Sequence, residues 1–140
     1  MSPKPRGSLH HIELWVPNIE RATSSWGWLL VELGYRPFQD WPGGRSWLLS
    51  TTYVVIEQSP DMLPGEHERT RPGLNHLAFH AGDRGDVDAI AAAAPANGWT
   101  LMFPDSHPHA GGPAHYAAFL HDTDGYEVEL VAEAVSYTHL

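Results

Sequence analysis

The chain has 140 residues, 42% hydrophobic and 18% charged, the size and balance of one globular domain rather than of a disordered segment. It has no cysteine, which excludes disulfides, thiolate zinc knots, iron–sulfur clusters and a cysteine nucleophile; any chemistry must come from oxygen and nitrogen groups, ten histidines among them. The formal net charge of -9, with Lys4 the only lysine, argues against nucleic acid, and no window approaches a membrane span or an export leader, so a cytoplasmic protein with a small-molecule partner is expected.

The first periodic segment, Leu9 to Val16, alternates at the period of a strand and ends at Pro17. Asn18 is a fitting N-cap for a helix through about Leu33. Its apolar stripe is Ile19, Ala22, Trp26, Leu29, Leu30 and Leu33, and Gly34 is its stop. Three strand-like runs follow, Tyr35 to Trp41, Arg45 to Ser50 and Tyr53 to Gln58, as an antiparallel meander. The Pro-, Gly- and charge-rich stretch Ser59 to Gly73 has no periodicity and is expected to be a linker. The pattern then starts over: strand Leu74 to Ala81, helix about Asp86 to Asn97 with Pro95 ending or kinking it, then runs at Trp99 to Phe103, His115 to His121 and Tyr126 to Ala132. His11 and His76 are 65 positions apart, Asn18 and Asp83 also 65, Gly34 and Gly98 64, and Glu57 and Glu129 72. One duplicated unit explains the order: module one over 9–58, module two over 74–132, and a tail over 133–140.

Strand parity gives the candidates a direction. Ile12, Leu14 and Val16 belong under the helix, leaving His11 on the other face with Glu13 and Trp15; Leu77 and Phe79 leave His76 and His80 opposite. Val54 and Ile56 do the same for Glu57, as do Val128 and Leu130 for Glu129. A lone strand histidine is more often a hydrogen-bonded wall residue than a ligand, and a strand-end glutamate is usually solvated. His11, Glu57, His76 and Glu129 gain weight by sharing repeat-related positions and one face. Two imidazoles and two carboxylates suit a divalent ion such as zinc, nickel, cobalt, manganese or ferrous iron. A one-residue slip would exchange His11 for His10, but the seven-residue spacing to the helix cap, shared with His76, selects His11. His80 lies four residues beyond His76, about 13 Å along a strand and too far for the same ion, so a substrate contact is expected of it. His107 and His109 sit on a Gly- and Pro-rich loop suited to cover a pocket and to touch substrate or move protons. Trp15, Tyr53 and Tyr116 are candidates for an aromatic wall.

The segments His11-Ile-Glu-Leu-Trp-Val-Pro-Asn18, His76-Leu-Ala-Phe-His-Ala-Gly-Asp83 and Asp122-Thr-Asp-Gly-Tyr-Glu-Val-Glu-Leu130 resemble the vicinal oxygen chelate superfamily, which includes glyoxalase I, extradiol dioxygenases, fosfomycin-resistance enzymes and bleomycin-binding proteins. The resemblance runs from about Leu9 to Ala132 and implies an α+β fold of two tandem βαβββ modules forming a curved mixed sheet around a metal. It implies metal roles for His11, Glu57, His76 and Glu129, a set similar to that of bacterial glyoxalase I. The reaction then expected is a lyase- or isomerase-type proton transfer through a metal-bound enediolate, with Glu57 or Glu129 as base and His107 or His109 assisting. The alternatives are a ferrous extradiol-type dioxygenase and a metal-free protein that sequesters a drug or metabolite. Dimerisation is common in the superfamily, so a homodimer is expected. The segment Glu133 to Leu140 matches no element of it.

Overall fold

In a computed structural model of the chain, residues 4–133 are described. The tail expected over 133–140 lies outside them beyond Glu133. The chain divides into two compact units with the boundary between Pro64 and Gly65, inside the non-periodic stretch.

The first unit runs β1 (His11–Trp15), α1 (Ile19–Glu32), β2 (Arg36–Trp41), β3 (Gly44–Leu49) and β4 (Thr52–Glu57). Its sheet has the order β1-β4-β3-β2, with β1 parallel to β4 and the other pairs antiparallel. Asn18 caps α1 by accepting the Arg21 amide at 2.9 Å. At the other end Gly34, at φ 99°, lets Tyr35 donate back to the Leu30 carbonyl, which satisfies an otherwise orphaned helix oxygen. The buried side chains Ala22, Trp26, Leu29 and Leu30 of α1 and Leu14, Val54, Ile56 and Trp47 of the sheet form this unit's core.

The second unit repeats the order: β5 (Leu77–His80), α2 (Arg84–Ala93), a short 3-10 turn (Ala94–Asn97), β6 (Trp99–Leu101), β7 (Ala117–Asp122) and β8 (Glu127–Val131). Its sheet has the matching order β5-β8-β7-β6, again with the first pair parallel. The fold is α+β, two tandem βαβββ modules.

Several boundaries in the second unit move from those expected: β5 begins at Leu77 rather than Leu74 and β6 ends at Leu101 rather than Phe103. Helix α2 starts at Arg84, two residues early, because Asp83 and Asp86 form a reciprocal capping box. It gives way to the 3-10 turn where Pro95, lacking an N–H, cannot continue the helical ladder. Strand β7 begins at Ala117, leaving His115 on the preceding loop.

Candidate functional site

Glu129 stands in the middle of β8, opposite Ala78 on one side and Phe119 on the other. Its neighbours Val128 and Leu130 are fully buried against the helix side, so parity turns its carboxylate to the opposite face, where only 11% of the side chain is exposed. A buried carboxylate needs charged or hydrogen-bonding partners. His76, just ahead of β5 and with the parity of Ala78, supplies one: its Nε2 lies 3.1 Å from Oε1. His115 supplies the other, its Nε2 lying 2.5 Å from Oε2. Both oxygens of one carboxylate thus meet an imidazole.

The His76 ring is held from behind. Its Nδ1 lies 2.7 Å from Oδ1 of Asn75, whose Nδ2 donates to the Arg69 carbonyl at 3.0 Å and so fixes which end of the amide faces the ring. Phe119 meets His76 edge-on at 6.1 Å and Phe103 meets Phe119 at 5.7 Å, an apolar wall beside the carboxylate. Glu127, also buried on this face, pairs with Arg69 at 3.0 Å.

His115, Asn75, Phe103 and Phe119 were not among the residues singled out from the sequence. The signal for His115 was present: it shares the parity of Ala117 and Phe119, the latter directly opposite Glu129. Its position at the end of a loop hid it.

In the first unit the ladder corrects the alignment of the two modules. Val16 donates to the carbonyl of Glu57 and Ala81, its counterpart, donates to that of Val131, so Glu57 corresponds to Val131 and Val55 corresponds to Glu129. His11 lies opposite Tyr53 while Glu57 lies opposite Trp15. His11 and Glu57 are therefore four residues apart along a parallel pair, about 13 Å, and this unit does not bring them together. Instead His11 stacks on Tyr53, with ring centroids 4.8 Å apart, and its Nδ1 lies 2.9 Å from Nδ1 of His10. Trp15 donates to Glu13 at 2.6 Å.

The sequence profile described as Glyoxalase/Bleomycin resistance protein/Dioxygenase superfamily matches residues 10–119. The chain belongs to this superfamily. It is 46% identical over 125 residues to YqjT of Bacillus subtilis (strain 168), a protein described as uncharacterized, covering 89% of this chain and 98% of that one. Among solved structures, a candidate glyoxalase from Bacillus halodurans superposes with a TM-score of 0.87 at 43% identity, covering 91% of this chain and 97% of that chain. A mutant of the fosfomycin resistance protein FosX from Listeria monocytogenes, a complex with Mn(II) and 1S,2S-dihydroxypropylphosphonic acid, superposes with a TM-score of 0.62 at 17% identity over 92% of each chain. At that identity the likeness is one of fold.

The superfamily's expected metal can be tested against the donors in the second unit. Among the described residues no group of three or more His, Asp or Glu side chains is placed to hold a metal ion. What the second unit does offer is the donor types a divalent ion takes, two imidazoles meeting one carboxylate, in a pair of contacts rather than a set of ligands around one point.

The remaining expected site residues have other partners. His80 is highly exposed and bonds Glu133 at 2.7 Å. Tyr116 donates to Asp88 of α2 at 2.6 Å under the Arg84 guanidinium, away from the Glu129 face; that hydrogen bond, then burial, raises its phenol above the ordinary range. His109 lies with Nδ1 3.2 Å from the His115 carbonyl and so braces the loop, and the His107 amide donates to the Phe103 carbonyl. No described helix is long and apolar enough to cross a membrane.

Proposed function

We propose that the chain is a divalent-metal-dependent enzyme acting on a small molecule with two neighbouring oxygens, by proton transfer of the lyase or isomerase type. The observation that carries the reading is the buried Glu129 carboxylate held between His76 and His115, with His76 oriented by Asn75. His76 and Glu129 would hold the ion. A bound divalent ion supplies Lewis-acid stabilisation of negative charge on a substrate oxygen. Asn75 keeps the His76 ring in one tautomer and one orientation. Glu129 is the base, and a proton arriving on its Oε2 has the His115 ring within hydrogen-bond reach to receive it. Phe119, directly opposite Glu129 on β7, gives the carboxylate an apolar neighbour.

The test is exchange of the carbon-bound proton of α-hydroxycarbonyl compounds in heavy water, followed by NMR with the protein loaded in turn with Mn(II), Ni(II), Zn(II) and Fe(II). Glu129→Gln should abolish exchange while part of the metal binding survives; full exchange in that variant would sink the proposal. Metal titrations of His11→Ala and Glu57→Ala decide what those residues add.

The grouping of two histidines and one carboxylate favours a second reading, oxygen chemistry at ferrous iron. It predicts oxygen uptake by the iron-loaded protein with a catechol and no proton exchange. A homodimer is part of the proposal, and sedimentation at equilibrium tests it.

A further inference from the structure

We infer that the first unit carries a ligand site of its own, a cavity between α1 and the β2–β3 edge of the sheet that takes a small carboxylate anion with an apolar body. The cavity is lined wholly by residues between 23 and 47 and does not depend on the metal-dependent reading, which concerns the second unit.

The cavity has a volume of about 400 Å³, within the range of about 300–1,000 Å³ usual for small-molecule sites. It forms where the sheet ends. β2 is the edge strand, and its ladder to β3 is interrupted between Pro37 and Asp40, a break of the kind that bends a strand. On β3, Arg45 stands opposite Ile56 and Trp47 opposite Val54, so both side chains turn to the helix side, away from the face that carries His11 and Tyr53. Across from them α1 presents Gly27, where a side-chain carbon would stand 3.1 Å from Cζ2 of Trp47. One turn on, Val31 remains 52% exposed, and with Pro37 and the Trp47 ring it gives the cavity apolar walls.

The polar groups on those walls decide what the apolar body should carry. Arg45 is held through Nη1 alone, by the Trp41 carbonyl at 3.2 Å, the Gly44 carbonyl at 2.8 Å and an Asp40 oxygen at 3.0 Å. Its Nε and Nη2 make no hydrogen bond among the described residues, and two such parallel donors match the two oxygens of one carboxylate. The Trp47 ring is 5% exposed, and its N–H likewise makes no hydrogen bond among the described residues. Gln39 and Ser46, which border the same cavity, satisfy one another at 2.9 Å. The groups left over are therefore donors, and a carboxylate is an acceptor alone. Asp40 competes for Arg45 only weakly, since its side chain is 76% exposed and such a solvated ion pair contributes little.

The experiment titrates the protein with 4-phenylbutyrate, indole-3-propionate and octanoate, and with the neutral amide of each, following backbone amide signals by two-dimensional NMR. The acids should move the signals of residues 23–31 and 37–47, and each amide should bind at least about tenfold more weakly, the scale of a hydrogen bond to a charged group. Arg45→Gln, first shown by circular dichroism to be folded, should weaken the acids to the level of their amides. Val31→Trp, a change at an exposed position that fills the cavity, should abolish the shifts. Asp40→Asn, which removes the competing charge, should tighten the acids by about two- to fivefold. Amides that bind as well as the acids, shifts confined to the second unit, shifts unchanged in Val31→Trp, or no shift with any of the three acids would each overturn the inference. Signals of residues 23–47 that move on dilution of the protein and not with the acids would also overturn it, and would give this face to a second copy of the chain.

Discussion

At His76 both ring nitrogens face oxygen, and the one that faces Asn75 decides what the other can do. Asn75→Ala should therefore weaken Mn(II) binding by about 10–100-fold while leaving the fold intact, as calorimetry and circular dichroism would show; unchanged binding would mean that the ring needs no anchor. Tyr126 allows a prediction in pH. Burial first, then the nearby charges of Asp122 and Asp124, push its phenol up to about 12 from an ordinary 10.0. The folded state thus keeps a proton that the unfolded chain gives up. The corresponding stability is whole below pH 10 and is lost as pH rises toward 12. Urea unfolding across that window should show a smaller loss in Tyr126→Phe than in wild type, and equal losses would refute the assignment. His76 and Glu129 were legible from strand parity, because apolar neighbours on either side fix which way they turn. Glu57 was misaligned because residue identity was matched where only hydrogen bonds set the correspondence. Tyr116, at the foot of its strand, was assigned to the site and instead faces α2.

Among the elements, α1 was legible end to end, from the Asn18 cap to the Gly34 stop, because both termini carry side chains or backbone freedom that the helix needs. The start of α2 was read two residues late, since its cap depends on Asp83 and Asp86 acting as a pair rather than on an apolar stripe. Asp83→Ala should cost about 0.5–2 kcal/mol in urea unfolding, the usual worth of such a cap. A change too small to measure would mean that packing of Val87 and Ile90 alone holds that terminus. The loop after β6 resisted reading altogether. Its glycines and prolines have no period, and its order comes from turns whose bonds are invisible until the backbone is traced.

At the scale of the whole molecule the two units share one strand order but have parted in chemistry. The second has carboxylates at 127 and 129 of β8 on the face turned away from its helix, where the first has Tyr53 and Val55 at the corresponding places on β4. A ligand that binds only the folded state stabilises what it touches, by about 2.7 kcal/mol at a hundred times its dissociation constant. Saturating Mn(II) should accordingly slow amide hydrogen exchange most in β5, β7 and β8, and His76→Ala should abolish the effect. Slowing confined to β1 and β4 would place the ion in the wrong unit. The loop that carries His115 bears on how such a protein can change. The backbone bonds that fold it run between Phe103 and Ala117, and the scaffold holds its end at Tyr116, through the Ala132 amide and Asp88 of α2. The placement of that ring is thus written in one short span of chain, a cassette that can be lengthened, exchanged or grafted onto a hairpin of the same register while the scaffold below keeps its sequence.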